Sequence, residues 1–111
     1  MAPSQADSDT IALLRRLAEA PEAVRRAKQV QSDLLAHGLQ VPDICQAIAD
    51  WIDAGERVKP TILHSFAGRV GQAAYEMKPR INGVLFYIKV TIDDRGGPEE
   101  CLALLSAHPD H

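Results

Sequence analysis

The 111-residue chain has no apolar run approaching the roughly 18 to 20 residues that a membrane-spanning helix needs. Its opening residues, MAPSQADSD, lack the basic start and apolar stretch of a secretory signal, so a cytoplasmic protein without a membrane partner is expected. The two cysteines, Cys45 and Cys101, form no close-spaced pair, and in a reducing compartment each reads as a small buried apolar residue. Missing too are a glycine-rich phosphate loop of standard spacing, a GxSxG elbow and a Ser-His-Asp ordering. His108 and His111 have an HxxH spacing, but they fall in a C-terminal tail with no accompanying zinc ligands, so neither metal nor cofactor is expected. Repeats, low-complexity tracts and interdomain linkers are also lacking, which leaves one domain with an ordinary 46% apolar content.

The charge is unevenly spread. The chain carries a formal −3, yet Arg57, Lys59, Arg69, Lys78, Arg80 and Lys89 face a single acid, Glu76, between residues 57 and 89. That stretch is therefore +5 and the remainder −8. Because screening confines each charge to roughly 8 to 10 Å at physiological salt, a local cationic surface is compatible with an acidic protein.

Residues 1–8 are small and polar and read as a tail, with the folded domain over 9–111. Asp9 or Thr10 is suited to cap a first helix reaching about Glu19, with Ile11, Leu13, Leu14 and Leu17 as its apolar side. Pro21 fits the first turn of a second helix running through Val24, Ala27, Val30 and Leu34 to Ala36 and stopping at Gly38. Pro42 and Asp43 open a third, in which Ile44, Ala47, Ile48, Trp51 and Ile52 recur at helical spacing before Gly55. Helices thus occupy about 9–54. Strand-like segments follow over about 57–107: Val58 to Phe66, Gln72 to Arg80, Val84 to Ile92 and Cys101 to Ala107, with turns at Asn82-Gly83 and Arg95-Gly96-Gly97-Pro98. This order predicts an α+β domain, N-terminal helices packed on a small antiparallel sheet. The run from Leu34 to Ile48 superficially resembles a helix-turn-helix, but Asp43, Gln46, Asp50 and Asp53 on its second helix would repel DNA phosphates.

The segment after Gly83 alternates. Val84, Phe86, Ile88, Val90 and Ile92 share one parity and make a core face, while Leu85, Tyr87, Lys89 and Thr91 share the other. If Lys59, Gln72, Arg80, Tyr87 and Lys89 converge, they form a phosphate-binding surface with a hydroxyl available for proton transfer. Cleaving RNA without a metal requires removing the 2′-OH proton, stabilising the phosphoryl oxygens and protonating the departing 5′-oxygen. Lys59 and Arg80 suit the second task; Tyr87 suits proton transfer if nearby cations favour its ionised form. Gln72 suits positioning, and His108 is a further acid or base close to the last strand. The same residues also read as ordinary outward side chains on a half-exposed sheet.

The pattern Lys59, Gln72-x-x-Tyr75, Pro79-Arg80, Gly83 and Tyr87-Ile88-Lys89-Val90-Thr91 resembles the C-terminal half of the MqsR toxins, mRNA interferases of the RelE-like superfamily. Upstream, Gly38, Leu39, Cys45 and Ile48 are similar to the family's helix entry, so the resemblance spans roughly residues 32 to 92. It implies a RelE-like fold and the toxin of a type II toxin-antitoxin system: an endoribonuclease that cleaves single-stranded mRNA and is held inactive by a cognate antitoxin. Participation of the ribosome stays open. Lys59, Gln72 and Tyr87 would be catalytic, with Tyr75, Lys78, Arg80 and Lys89 contacting RNA or phosphate. Two aromatic positions of the pattern are Val58 and Gly71 here, an extra residue separates Tyr75 from Pro79, and the family's basic end is replaced by residues 106 to 111. Those two changes remove possible base-stacking surfaces. Two other readings remain: a non-catalytic RNA- or protein-binding module on the same surface, and a regulatory domain working through the acidic helices at Asp43, Asp50 and Asp53.

Overall fold

A computed structural model describes residues 5–110 of the chain. Its first helix, α1, is Ser8–Leu17. It begins earlier than Asp9 or Thr10 would allow as caps, because Asp7 takes that role: its carboxylate accepts from the Thr10 amide at 3.2 Å and the Thr10 hydroxyl at 2.6 Å. The tail expected over residues 1–8 is accordingly shorter. Residues 1–4 lie outside the described residues, but the Gln5 side chain accepts from Val58 N–H at 2.8 Å and Ala6 N–H donates to Val58 O at 2.9 Å.

The second helix differs from its expectation. Pro21–Ala23 form a 3-10 turn, Arg25–Arg26 form a short strand, β1, and the helix α2 covers only Lys28–Ala36. Apolar spacing through Val24, Ala27 and Val30 is helix-like, but Arg25 and Arg26 pair in parallel with Ala103 and Leu104, and Ala27 N–H donates to Leu104 O at 2.9 Å. Hydrogen bonds to a sheet edge nearly eighty residues away outweigh local propensity. Gly38 ends α2 with a φ of +67°, as its position suggests. The third helix, α3, is Val41–Asp53, entered through a Gln40 N–H that donates to the Asp43 carboxylate at 2.8 Å.

Five more strands follow: β2 Lys59–Ile62, β3 Ala73–Met77, β4 Arg80–Ile81, β5 Val84–Asp93 and β6 Cys101–Pro109. The sheet runs in the order β1, β6, β5, β3, β2, with β4 folded back on β5 through Asn82 and Gly83, both at positive φ. From β2 to β6 it is the antiparallel meander that the segment order predicts. The parallel β1 makes the whole sheet mixed rather than antiparallel.

The three helices cover one sheet face. Phe86, Ile88 and Val90 of β5 join Tyr75 and Met77 of β3, Leu102 and Leu104 of β6, and Leu14, Val30, Ile44 and Ile48 of the helices in one core. Among the described residues, no helix covers the other face. A bulge shapes it: Lys89 pairs with Ser106 and Val90 with Leu104, so Leu105 is an extra residue that turns away from the core. Leu105 joins Leu63 and Ala74 in a second small cluster, against which Phe66 of the β2–β3 loop packs.

Candidate functional site

The open face derives its site from strand register. Lys59 of β2 is opposite Glu76 of β3, Glu76 is opposite Lys89 of β5, and Lys89 is opposite Ser106 of β6. Paired residues of neighbouring strands share a face, so these four form a row across the sheet. Tyr87 and His108 form a pair in the next row, their rings stacked at 5.6 Å between centroids.

Glu76 is the centre of this constellation. Its carboxylate accepts a short hydrogen bond from the Tyr87 hydroxyl, while Lys59 Nζ lies 3.8 Å from its other oxygen. Lys59 and Tyr87 therefore meet, from separate strands, as the sequence pattern expects. Beside them is an open groove of about 360 Å3 whose lining includes Trp51, Glu56, Arg57, Lys59, Glu76 and Tyr87. It lies where the pairing of β2 with β3 ends, at Lys59 and Glu76. Trp51 fixes the opposite wall by donating from Nε1 to Arg57 O at 2.9 Å.

The environment changes the role open to Tyr87. Burial, then the hydrogen bond to Glu76 and its charge, push the phenol above its ordinary value. A shift in that direction favours the phenol over the phenolate, with its hydroxyl donating to Glu76. The carboxylate at the centre, Glu76, is not a residue that the MqsR-like pattern singles out. Its signal lies in register: on β3 it shares the parity of Ala74, opposite to that of Tyr75, and it is the one acid in the cationic stretch.

His108 is also better placed than a tail residue. β6 continues through Pro109, which puts the imidazole in the sheet, half-buried on Tyr87. Its Nδ1 lies 3.0 Å from Pro109 O, and since a carbonyl only accepts, Nδ1 carries the hydrogen. Nε2 has no protein partner among the described residues and is the nitrogen left for chemistry. The other half of the HxxH pair, His111, lies outside the described residues.

Three predicted site residues are elsewhere. Gln72 precedes Glu76 by four positions, about 13 Å along an extended chain, and accepts from Arg69 at 3.3 Å rather than joining Lys59 and Tyr87. Tyr75 has the opposite parity from Glu76 and is 8% exposed in the helix-side core, so its ring does not reach the open face. Arg80 lines a neighbouring groove with Asp50, Trp51 and Lys78. Lys78 is engaged by Asp110 at 3.3 Å, at the rim of the same face. Lys89 is central: its Nζ lies 5.7 Å from the centroids of both Tyr87 and Phe66.

The cationic stretch is thereby diluted. Arg69 is bound by Asp93, Lys59 by Glu76 and Lys78 by Asp110, which leaves Arg57, Arg80 and Lys89 without an ion pair among the described residues. On the helices, Asp43 caps α3, Asp50 accepts from Gln46 at 2.8 Å and Asp53 accepts from Arg15 of α1. Each of those carboxylates has an intramolecular partner. At the two positions where the MqsR-like pattern has an aromatic, Val58 is completely buried in the core, and Gly71 has a φ of +88°, where a tryptophan would be strained. No protein-family model, curated protein or solved structure was found to match the chain.

Proposed function

We propose that the open face cleaves single-stranded RNA by internal transphosphorylation. Glu76 removes the proton from a ribose 2′-OH, the 2′-oxygen attacks the adjacent phosphorus, and the 5′-oxygen departs. Lys59 and Lys89 offset negative charge on the phosphoryl oxygens, and His108, in its imidazolium form, gives the Nε2 proton to the departing 5′-oxygen. Tyr87 keeps Glu76 in place. The products are a 2′,3′-cyclic phosphate and a 5′-hydroxyl, and the scheme needs no metal.

The observation that carries this reading is the meeting of Lys59, Tyr87 and Glu76 from three strands, with His108 stacked behind the phenol. A carboxylate, an imidazole and cations on one open face match the three tasks that RNA cleavage sets. The resemblance to MqsR toxins supports a cellular role as a RelE-like type II toxin restrained by an antitoxin, and helices on one face with the other left open suit that arrangement. One feature favours a second reading, an RNA-binding module without catalysis: Gln72, expected at the centre, is held by Arg69 at a distance from it.

Incubation of a long RNA with the wild-type chain, Lys59→Ala, Tyr87→Phe and His108→Gln separates the two. The cleavage reading predicts fragments from the wild type and slower appearance of them from each variant. Equal fragment yields from all four would exclude these roles, and binding without fragments would select the module. Growth arrest on expression, relieved by a neighbouring reading frame, tests the toxin assignment.

A further inference from the structure

We infer that Phe66 forms a nucleobase-stacking subsite beside the cleaving centre, with Lys89 leaving the Phe66 ring for the scissile phosphate when a base stacks there. The inference rests on the RNA reading of the open face and states how that face grips a single strand.

The loop over residues 63–72 does not extend into solvent as an arbitrary connection. Leu63 N–H donates to Gln72 O and Gly71 N–H donates to Leu63 O, both at 2.9 Å, which closes its neck. Arg69 binds Asp93 of β5 through two bonds at 2.6 and 3.0 Å, clamping the loop onto the open face. Leu63, Ala74 and Leu105 then hold Phe66 from beneath. The bulge at Leu105 is what supplies that apolar support on a face that would otherwise be polar.

Phe66 is only partly buried, and what lies over its ring is an ammonium rather than an apolar side chain. Lys89 Nζ is equally far from Phe66 and Tyr87, so the two rings are separated by no more than roughly twice 5.7 Å, a span that a short stretch of extended single strand covers. The ammonium ends a flexible four-carbon chain, and it swings to a phosphate when a base takes its place on the ring. Every base has a π face, and single strands are commonly held by alternating aromatic platforms and cations. Phe66 thus supplies the stacking surface that Val58 and Gly71 do not.

The test uses the full chain with short 2′-O-methyl RNA oligonucleotides, which keep bases and phosphates but have no attacking hydroxyl. Binding is measured by fluorescence anisotropy over a range of salt for the wild type, Phe66→Leu, Phe66→Trp and Lys89→Gln, using intact oligonucleotides and a series abasic at each position in turn. Phe66→Leu keeps apolar bulk against Leu63 and Leu105, yet it is expected to weaken binding about five- to a hundredfold. One abasic position should weaken the wild type and leave Phe66→Leu unchanged, and the penalty at that position should be larger in Phe66→Trp. Lys89→Gln should lower the slope of log K against log salt by about one. A Phe66→Trp penalty no greater than the wild type's at every position overturns the subsite, whatever the stability of the leucine variant, and so does failure of the wild type to bind any oligonucleotide. Parallel cleavage of unmodified RNA keeps the two claims apart: cleavage without coupling between Phe66 and a base defeats the subsite alone, and coupling without cleavage defeats only the nuclease reading.

Discussion

On the helix-covered side of the sheet, Phe86, Ile88 and Val90 have almost no solvent contact, whereas, one residue along the same strand, Tyr87 lines an open groove and Lys89 is paired with Glu76, the carboxylate that Lys59 binds. A single strand thus carries a packing surface and a chemical surface at a period of two. The comparison separates two kinds of sensitivity. Substitutions on the covered face should unfold the protein, and substitutions on the open face should leave it folded and inactive.

The largest expected effect is on the open face. Glu76→Gln removes the proposed general base while keeping the shape and the hydrogen-bond acceptor for Tyr87, and RNA cleavage should fall about 100- to 10,000-fold. The melting temperature should change little. A variant that unfolds instead, or one that cleaves normally, would erase the distinction between the faces.

On the covered face, Ile88→Ala should destabilise by about 2–5 kcal/mol, read from urea denaturation, since Ile88 has no exposure and lies among fully buried side chains. Its specific activity at a temperature where the variant is folded should be close to that of the wild type.

Asp93 sharpens the comparison, because it is a stability element on the open side. Its hydrogen bonds to Arg69 hold the carboxyl below its ordinary value, burial opposing. The folded pKa being the lower one, the stabilisation is complete above the unfolded carboxyl range, near 3.9, and is lost as pH falls through the folded value. Asp93→Asn should cost about 1–3 kcal/mol at pH 7 and nearly nothing at acid pH, where the wild type has lost the same contribution. Urea denaturation of both chains at pH 7 and at pH 2 checks the sign. The smallest effect belongs to Leu35, which is 81% exposed on α2: Leu35→Ser should alter stability by no more than about 0.5 kcal/mol and cleavage not at all.

Much of this arrangement is legible in the residues. The alternation separates the faces correctly from Phe86 to Ile92, whereas Val84, expected on the core face, is 44% exposed; Gly38, Gly55 and Asn82-Gly83 mark real chain reversals, all at positive φ. The convergence of Lys59 with Tyr87 follows from the same reasoning. What local pattern misses is register. Tyr75 and Glu76 are adjacent in sequence, and only the pairing of Glu76 with Lys59 and Lys89 shows that the carboxylate faces the groove while the tyrosine faces the core. Gln72 matches a family spacing but sits at the loop neck, beyond the reach of the centre. Arg25 and Arg26 read as helix because their partners, Ala103 and Leu104, are remote in the chain. The bulge at Leu105 has no glycine or proline to announce it, yet it sets where Phe66 rests.

The end groups of the RNA fragments give the most direct test, with wild type and Glu76→Gln compared by mass spectrometry of a defined single-stranded substrate in the presence of a chelator. The wild type should leave 2′,3′-cyclic phosphates and 5′-hydroxyls, and Glu76→Gln should leave the substrate essentially intact. Intact RNA with both chains, or the same ends at the same rate from both, would contradict the assignment of the open face as the reacting one.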